Sequence, residues 1–87
     1  MSDRRLTFTG EGWKQYQSWR GDGQTLKRVN RLIEAALRDP RKGLGKPEQL
    51  KENLSGLWSR RIDAVNRLVY AICESSLVIV SCRFHYD

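Results

Sequence analysis

Apolar residues recur at helical spacing in two stretches of the first half of the chain. Residues 13–20 form the first stretch, which ends at the glycine-containing residues 21–23. The second stretch, residues 26–38, ends at Asp39-Pro40, because the residue before a proline disfavours helix. Since the connection is short, the pattern predicts an antiparallel helical hairpin. The apolar stripes are Trp13, Tyr16 and Trp19 in the first helix and Leu26, Val29, Leu32, Ile33, Ala36 and Leu37 in the second.

The remaining apolar segments have the character of β-strands. Residues 6–9 alternate and precede a glycine, which predicts a short first strand. Three more strands are expected at about residues 57–63, 67–73 and 77–84, with turns short enough for hairpins. Between the helices and this meander lies a basic loop, residues 41–56, with one helical turn expected near residues 48–51. The order predicts an α+β fold in which the helices pack on one face of a mainly antiparallel sheet. We expect residues 1–87 to form a single domain.

Strand alternation separates two neighbouring arginines. Arg61 is expected on the same face as Ser59, and Arg60 on the opposite face with Trp58. Both arginines can also be interpreted as ordinary solvent-facing strand residues.

The register of the last hairpin decides which terminal residue meets Arg67. A two-residue loop, with Cys73 opposite Ser76, puts Arg67 on the face of Tyr86. A loop that is one residue longer puts Arg67 beside His85. The sequence leaves both registers open.

Positive charge is concentrated in the middle of the chain. The net charge is +6, and residues 24–67 contain eleven Lys or Arg against five Asp or Glu. A central basic zone indicates a nucleic-acid or acidic protein partner, although a solvated face that favours solubility would have the same composition. No apolar run is long enough for a transmembrane helix, and the first residues lead into no signal-peptide core. We therefore expect a cytoplasmic protein without a membrane partner.

The two cysteines, Cys73 and Cys82, lie in apolar, β-prone runs. With one distant histidine they do not make a zinc site, and we expect both to be buried as small apolar residues. No metal or other cofactor is expected.

Four residues could together cleave RNA. The reaction through the RNA's own 2′-hydroxyl needs a base, an acid for the departing 5′-oxygen and fixed positive charge at the phosphorus. Glu48 is a candidate base, and His85, the only histidine, can donate a proton near neutral pH. Arg61 and Arg67 could hold phosphate oxygens with their planar guanidinium groups. This chemistry requires no metal.

Four sequence blocks resemble the YoeB (Txe) toxins of the RelE/ParE superfamily. They are residues 45–51, 53–62, 67–71 and 82–86, in that order, and the likeness extends over nearly the whole chain. The resemblance implies a RelE-like fold and the toxin of a type II toxin–antitoxin system. It also implies a ribosome-dependent endoribonuclease that cuts mRNA in the ribosomal A site and a YefM-type antitoxin as partner. Monomer and homodimer are both left open.

The resemblance also implies roles for individual residues. Glu48 matches the general base, His85 the proton donor and Arg67 the arginine that stabilises the transition state. The residues that match the basic and RNA-positioning surface are Lys46, Lys51, Arg61 and Tyr86. Structural alternatives exist, since Glu48 could occupy the first turn of a helix, Lys51 a helix surface and Tyr86 the sheet edge.

Two positions depart from the family pattern. Asp87 follows the tyrosine at which the family usually ends, and its negative charge could favour a protonated His85. Asn66 stands where many relatives carry histidine, which leaves His85 as the only imidazole.

Two other functions are compatible with the sequence. A non-catalytic RNA-binding or ribosome-binding module would need neither Glu48 nor His85 and would bind RNA in a strongly salt-dependent way. A gyrase-poisoning toxin of the ParE branch would share the fold, but the Glu48, Arg67 and His85 set argues against it.

Overall fold

The computed structural model describes residues 4–83, so residues 1–3 and 84–87 lie outside the described part of the chain. The expected order of one strand, a helical hairpin and a three-stranded meander is confirmed. The elements are β1 (Arg5–Phe8), α1 (Gly10–Ser18), a 3-10 turn (Trp19–Gly21), α2 (Gly23–Arg38), β2 (Glu48–Gln49), a second 3-10 turn (Glu52–Leu54), β3 (Leu57–Arg61), β4 (Arg67–Ile72) and β5 (Ser76–Ser81).

Both helices begin at a side-chain cap. The Thr9 hydroxyl oxygen accepts a hydrogen bond from the Gly12 amide at 3.0 Å, and Asp22 Oδ1 accepts one from the Thr25 amide at 3.1 Å. Each cap satisfies an amide that has no partner within its helix. The side-chain and backbone hydrogen bonds from Thr25 also lower the pKa of Asp22. In residues 4–83, neither helix has the length and apolar character needed to cross a bilayer.

The strands form one mixed sheet in the order β1-β5-β4-β3-β2. β1 runs parallel to β5, with Phe8 opposite Ile79, and the other neighbours are antiparallel. The expectation of a mainly antiparallel sheet is therefore confirmed. Its single parallel pair joins the first and the last strand of the chain, which the two helices and the other strands separate in sequence.

The core lies between the helical hairpin and one face of the sheet. α2 contributes the apolar stripe predicted from the sequence, and alternate residues of β4 and β5 complete the core. Its buried members are Trp19, Val29, Leu32, Ile33, Ala36, Ile62, Leu68, Tyr70, Leu77, Ile79 and Cys82. The other face of the sheet is free of helices, and this asymmetry positions the candidate site.

The helical turn expected near residues 48–51 is wrong. Glu48–Gln49 is extended and pairs with Ser59 and Trp58 of β3, and the Leu50 amide donates to the Leu57 carbonyl at 2.9 Å. An isolated helical turn would offer very few internal hydrogen bonds, whereas the edge of β3 offers this segment partners for its backbone groups.

The last hairpin has the shorter of the two loops considered. The Cys73 amide donates to the Ser76 carbonyl at 2.9 Å, and Ile72 pairs with Leu77. The two-residue loop is thus confirmed for the hairpin end of the pair.

A β-bulge then changes the register further along the same strands. Tyr70 pairs with Ile79, but Val69 pairs with Ser81, so β5 carries one extra residue at this point. The pairing ends there, since β5 ends at Ser81, and the Arg83 side chain lies over the Trp19 ring. Which terminal residue meets Arg67 stays a prediction. His85 and Tyr86, on which the sequence prediction depended, lie outside the described residues.

The two cysteines differ in exposure. Cys82 is buried, and loss of solvation raises the pKa of its thiol to about 11. Cys73 is exposed, so the expectation that both cysteines are buried is wrong for Cys73. Its position immediately after β4, at the turn, takes it out of the core.

Candidate active site

The helix-free face of the sheet brings three of the candidate residues together. Arg61 lies opposite Arg67 in the β3–β4 pair, and Glu48 lies opposite Ser59 in the β2–β3 pair. Ser59 in turn pairs with Val69. Since directly opposed residues project to the same side of a sheet, a carboxylate and two guanidinium groups share this face.

Glu48 and Arg67 form an open ion pair. Arg67 Nη1 lies 3.6 Å from Glu48 Oε1, with 28% of the Arg67 side chain and 66% of the Glu48 side chain exposed. A pair this exposed stabilises a fold by at most about 1 kcal/mol, because water screens the attraction. Either side chain can therefore leave its partner and bind a ligand at a small cost in free energy.

A glycine in the left-handed region lies in the loop that leads to Glu48. Gly45 has φ +89°, and a Cβ there would lie 2.6 Å from Leu32 Cδ2. Its carbonyl accepts a hydrogen bond from the Arg61 amide at 2.7 Å. The next residue, exposed Lys46, is also left-handed at φ 53°. The backbone thus passes close over the core before it enters β2.

On the helix side of the sheet, Arg60 binds the part of this loop that precedes Gly45. The side chain is fully buried. Its guanidinium donates to the Tyr70 hydroxyl at 2.9 Å and to main-chain carbonyls of the loop. The carbonyl acceptors are those of Asp39 at 2.6 Å, Lys42 at 2.9 Å and Leu44 at 2.9 Å. Tyr70 itself donates to the Pro40 carbonyl at 2.7 Å, and burial raises the pKa of this phenol.

The interpretation of Arg60 as a solvent-facing residue is therefore wrong, whereas Arg61 is exposed. Strand alternation in the sequence indicated that Arg60 faces the core, since it placed Arg60 with Trp58 on the apolar side. The hydrogen-bond partners could not be predicted, because they are backbone carbonyls of an irregular loop.

The other basic candidates lie around this face or beyond it. Lys51 is exposed and extended, so it does not lie on a helix surface. It lines an open groove of about 350 Å³ together with Glu48. Lys46 is exposed two residues before β2. His85 and Tyr86 lie outside the described residues.

A second basic surface lies along α2. A groove of about 430 Å³ there is lined by Lys27, Arg28 and Arg31, and Asp63 from the β3–β4 turn lines it as well. Arg28 donates to the Arg61 carbonyl at 3.0 Å, which connects this surface to β3. The central basic zone of the sequence is thus divided between α2 and the helix-free face.

The helix-free face suits proton transfer beside a phosphate. An exposed carboxylate can accept a proton, and guanidinium groups can bind phosphate oxygens in a planar, bidentate manner. Across residues 4–83, no three His, Cys, Asp or Glu side chains cluster in a way that could hold a metal ion.

Helices on one side of the sheet and an open charged face on the other define a RelE-like α+β fold. The family model for YoeB-like toxins of bacterial type II toxin–antitoxin systems matches residues 8–86. The chain therefore belongs to the YoeB toxin family, and it is the toxin of a type II toxin–antitoxin system.

Individual relatives agree over almost their full lengths. The chain is 55% identical over 83 residues to the toxin YoeB of Streptomyces coelicolor, an alignment that covers 94% of this chain and 99% of the relative. A structure described as a YoeB/ParE toxin from Agrobacterium tumefaciens is 45% identical and superposes with a TM-score of 0.91, covering 94% of this chain and 99% of the other.

YoeB from Staphylococcus aureus has been solved in two assemblies. One structure is a YoeB dimer, 36% identical with a TM-score of 0.88, covering 98% of this chain and 100% of the other. The other is a YoeB–YefM complex, 35% identical with a TM-score of 0.85, covering 95% of this chain and 98% of the other.

Proposed function

We propose that this toxin is a ribosome-dependent endoribonuclease that cuts mRNA in the ribosomal A site and thereby inhibits translation. The observation that carries the proposal is the placement of Glu48 within 3.6 Å of Arg67 on the helix-free face. These residues match the family's general base and its transition-state arginine. Both side chains are partly exposed, which supports direct access of an RNA strand to them.

The proposed reaction is a transphosphorylation by general acid–base catalysis. The Glu48 carboxylate takes the proton from the 2′-hydroxyl, and the 2′-oxygen then attacks the adjacent phosphorus. Arg67 and Arg61 bind the non-bridging oxygens as negative charge accumulates on them. His85 gives a proton to the departing 5′-oxygen. The bond between the 2′-oxygen and phosphorus forms as the bond between phosphorus and the 5′-oxygen breaks, and the products are a 2′,3′-cyclic phosphate and a 5′-hydroxyl.

Residues around the site would hold the RNA in register. Lys46 and Lys51, which flank β2, would contact phosphates on either side of the cleaved bond, and Tyr86 would position the RNA near His85. These contacts supply affinity and orientation without taking or giving a proton.

We also propose partners for this chain. The family relationship supports a YefM-type antitoxin that binds and inhibits the toxin, because a YoeB from Staphylococcus aureus forms such a complex. An acidic antitoxin segment would neutralise the basic surface and could fold as it binds. The dimeric relative supports a homodimer in the absence of antitoxin. A cytoplasmic location and a single domain over residues 1–87 are part of the same proposal.

Primer extension on a translated messenger, with and without the toxin, tests this function. We expect cuts that are phased with the ribosome, and end-group analysis of the upstream fragments should find a 2′,3′-cyclic phosphate. Messenger that stays intact while the toxin binds ribosomes would favour a non-catalytic binding module. DNA damage with translation unaffected would favour the gyrase-poisoning branch. Fragments that end in a 3′-hydroxyl would overturn the proposed use of the 2′-hydroxyl.

A further inference from the structure

Residues 81–83, which lead to His85, are held by α1. This helix contributes none of the other proposed catalytic residues. β5 ends at Ser81, and the next two residues, Cys82 and Arg83, contact Gln15, Ser18 and Trp19 of the helical region. Gln15 of α1 provides the central contact.

Three donors converge on one side-chain oxygen. Gln15 Oε1 accepts hydrogen bonds from the Ser81 hydroxyl at 2.9 Å, the Cys82 amide at 2.8 Å and the Arg83 amide at 3.1 Å. The other end of the same amide donates to Glu11 Oε2 at 3.1 Å, which fixes its orientation. Consecutive backbone amides of the chain that leaves β5 are thus bound by a single helical side chain.

Other side chains reinforce this clamp. Trp19 Nε1 donates to the Cys82 carbonyl at 2.8 Å in a buried position. The Arg83 guanidinium lies over the Trp19 ring, 4.1 Å from its centroid, and donates to the Ser18 hydroxyl at 2.8 Å. A cation over an indole face is attracted by the ring's quadrupole. Residues 81–83 are therefore bound through backbone and side chain together.

We infer that Gln15 is a positioning residue for the reaction, acting through the backbone of residues 81–83 on His85. This inference rests on the proposed role of His85 as proton donor. Two residues of chain span at most about 7 Å, so a fixed Arg83 limits how far the Cα atom of His85 can lie from the clamp. Proton transfer requires the donor within hydrogen-bond reach of the leaving oxygen, and a misplacement of about 1 Å can slow a reaction roughly 100-fold.

Matched substitutions separate positioning from simple folding. Gln15→Met keeps the length of the side chain but removes the acceptor. Gln15→Glu, made together with Glu11→Gln so that residues 11 and 15 still pair, keeps an acceptor for all three donors. Gln17→Ala changes an exposed residue of the same helix and serves as control. The readouts are the single-turnover cleavage rate on programmed ribosomes at saturating toxin, the affinity for those ribosomes, and hydrogen exchange of the Cys82 and Arg83 amides.

We expect Gln15→Met to lower the single-turnover rate about 10- to 100-fold, with unchanged ribosome affinity and faster exchange of both amides. Gln15→Glu together with Glu11→Gln should retain most of the rate, and Gln17→Ala all of it. In a His85→Ala background, Gln15→Met should cause no further loss, because the group that it positions is already absent.

Two results would overturn the inference alone: a wild-type rate for Gln15→Met while His85→Ala is slow, or an equal loss from Gln15→Met in both backgrounds. A wild-type rate for His85→Ala would instead overturn the proposed proton donor, and the positioning role with it. The two failures are therefore distinguishable in one set of proteins.

Discussion

Arg60 and Arg61 are adjacent in β3 and differ in almost every physical respect. Arg60 points to the helix side, is fully buried and donates to four oxygen atoms, whereas Arg61 is exposed on the helix-free face opposite Arg67. The first arginine uses its donors to hold a loop, and the second keeps them available to a ligand. One step along a strand thus separates a structural guanidinium from a proposed phosphate ligand.

The same contrast applies to the two faces of the sheet as a whole. The helix side is closed by apolar packing and satisfied hydrogen bonds, while the ion pair on the other face is long and exposed. Substitutions on the helix side should therefore change the free energy of unfolding, and substitutions on the open face should change the rate of RNA cleavage.

A large effect on catalysis is expected at Arg67. Arg67→Ala removes a donor to the negatively charged phosphorus centre and should slow single-turnover cleavage on ribosomes about 10²–10³-fold. Its unfolding free energy in urea should stay close to that of the wild type. Arg67→Lys, which keeps the charge but not the planar fork, is expected to recover only part of the rate. A cleavage rate equal to wild type in Arg67→Ala would contradict the assignment of this face.

Loss of the buried arginine should cost stability. Arg60→Met leaves loop carbonyls and the Tyr70 hydroxyl without their donor, so we expect the free energy of unfolding to fall by about 3 kcal/mol or more. Arg61→Met is the matched control on the other face and should change it by about 0.5 kcal/mol or less. Urea unfolding measures both variants. Similar losses at the two positions would break the distinction between the faces.

Gly45 should show a smaller effect on stability. Gly45→Ala places a methyl group against the Leu32 side chain in a left-handed backbone, for which we expect a cost of about 1–3 kcal/mol. Gly56→Ala is a suitable control, because Gly56 also has a positive φ, +96°, but has open space around it. Thermal or urea unfolding should show the greater loss at Gly45. Equal losses would mean that the close approach to Leu32 does not contribute to the loss of stability in Gly45→Ala.

The smallest effect belongs to the ion pair itself. A double-mutant cycle with Glu48→Gln and Arg67→Ala should give a coupling of less than about 1 kcal/mol in unfolding free energy, because both side chains are exposed. Raising the salt concentration should reduce this coupling further. A coupling of several kcal/mol would mean that the pair serves mainly to stabilise the fold.

The regular elements followed from the sequence because their patterns are local. The stripe on α2 and the alternation in β4 each reflect a single repeating geometry, and both were predicted within a few residues. The extended Glu48–Gln49 could not be predicted in the same way, since its backbone partners come from β3 and two residues carry too short a pattern. The bulge at Val69 and Tyr70 likewise has no clear local signature.

The residues of the candidate site were easier to predict than their geometry. Strand alternation placed Arg61 on one face and Arg60 on the other, and the family resemblance supplied the roles of Glu48 and Arg67. Neither source indicated that Arg60 would bind carbonyls of the loop that precedes Gly45. Such contacts depend on tertiary packing of irregular backbone, which periodicity does not encode. The roles of His85 and Tyr86 remain predictions from the resemblance.

Substitution of Glu48 by glutamine tests the central proposal most directly. The variant keeps the size of the side chain and removes only the ability to take a proton. Measured by single-turnover primer extension on translating ribosomes, Glu48→Gln should lower the cleavage rate about 10²–10⁴-fold, with ribosome binding and unfolding free energy unchanged. Ribosome-phased cleavage at the wild-type rate by this variant would contradict the assignment of Glu48 as the general base on the helix-free face.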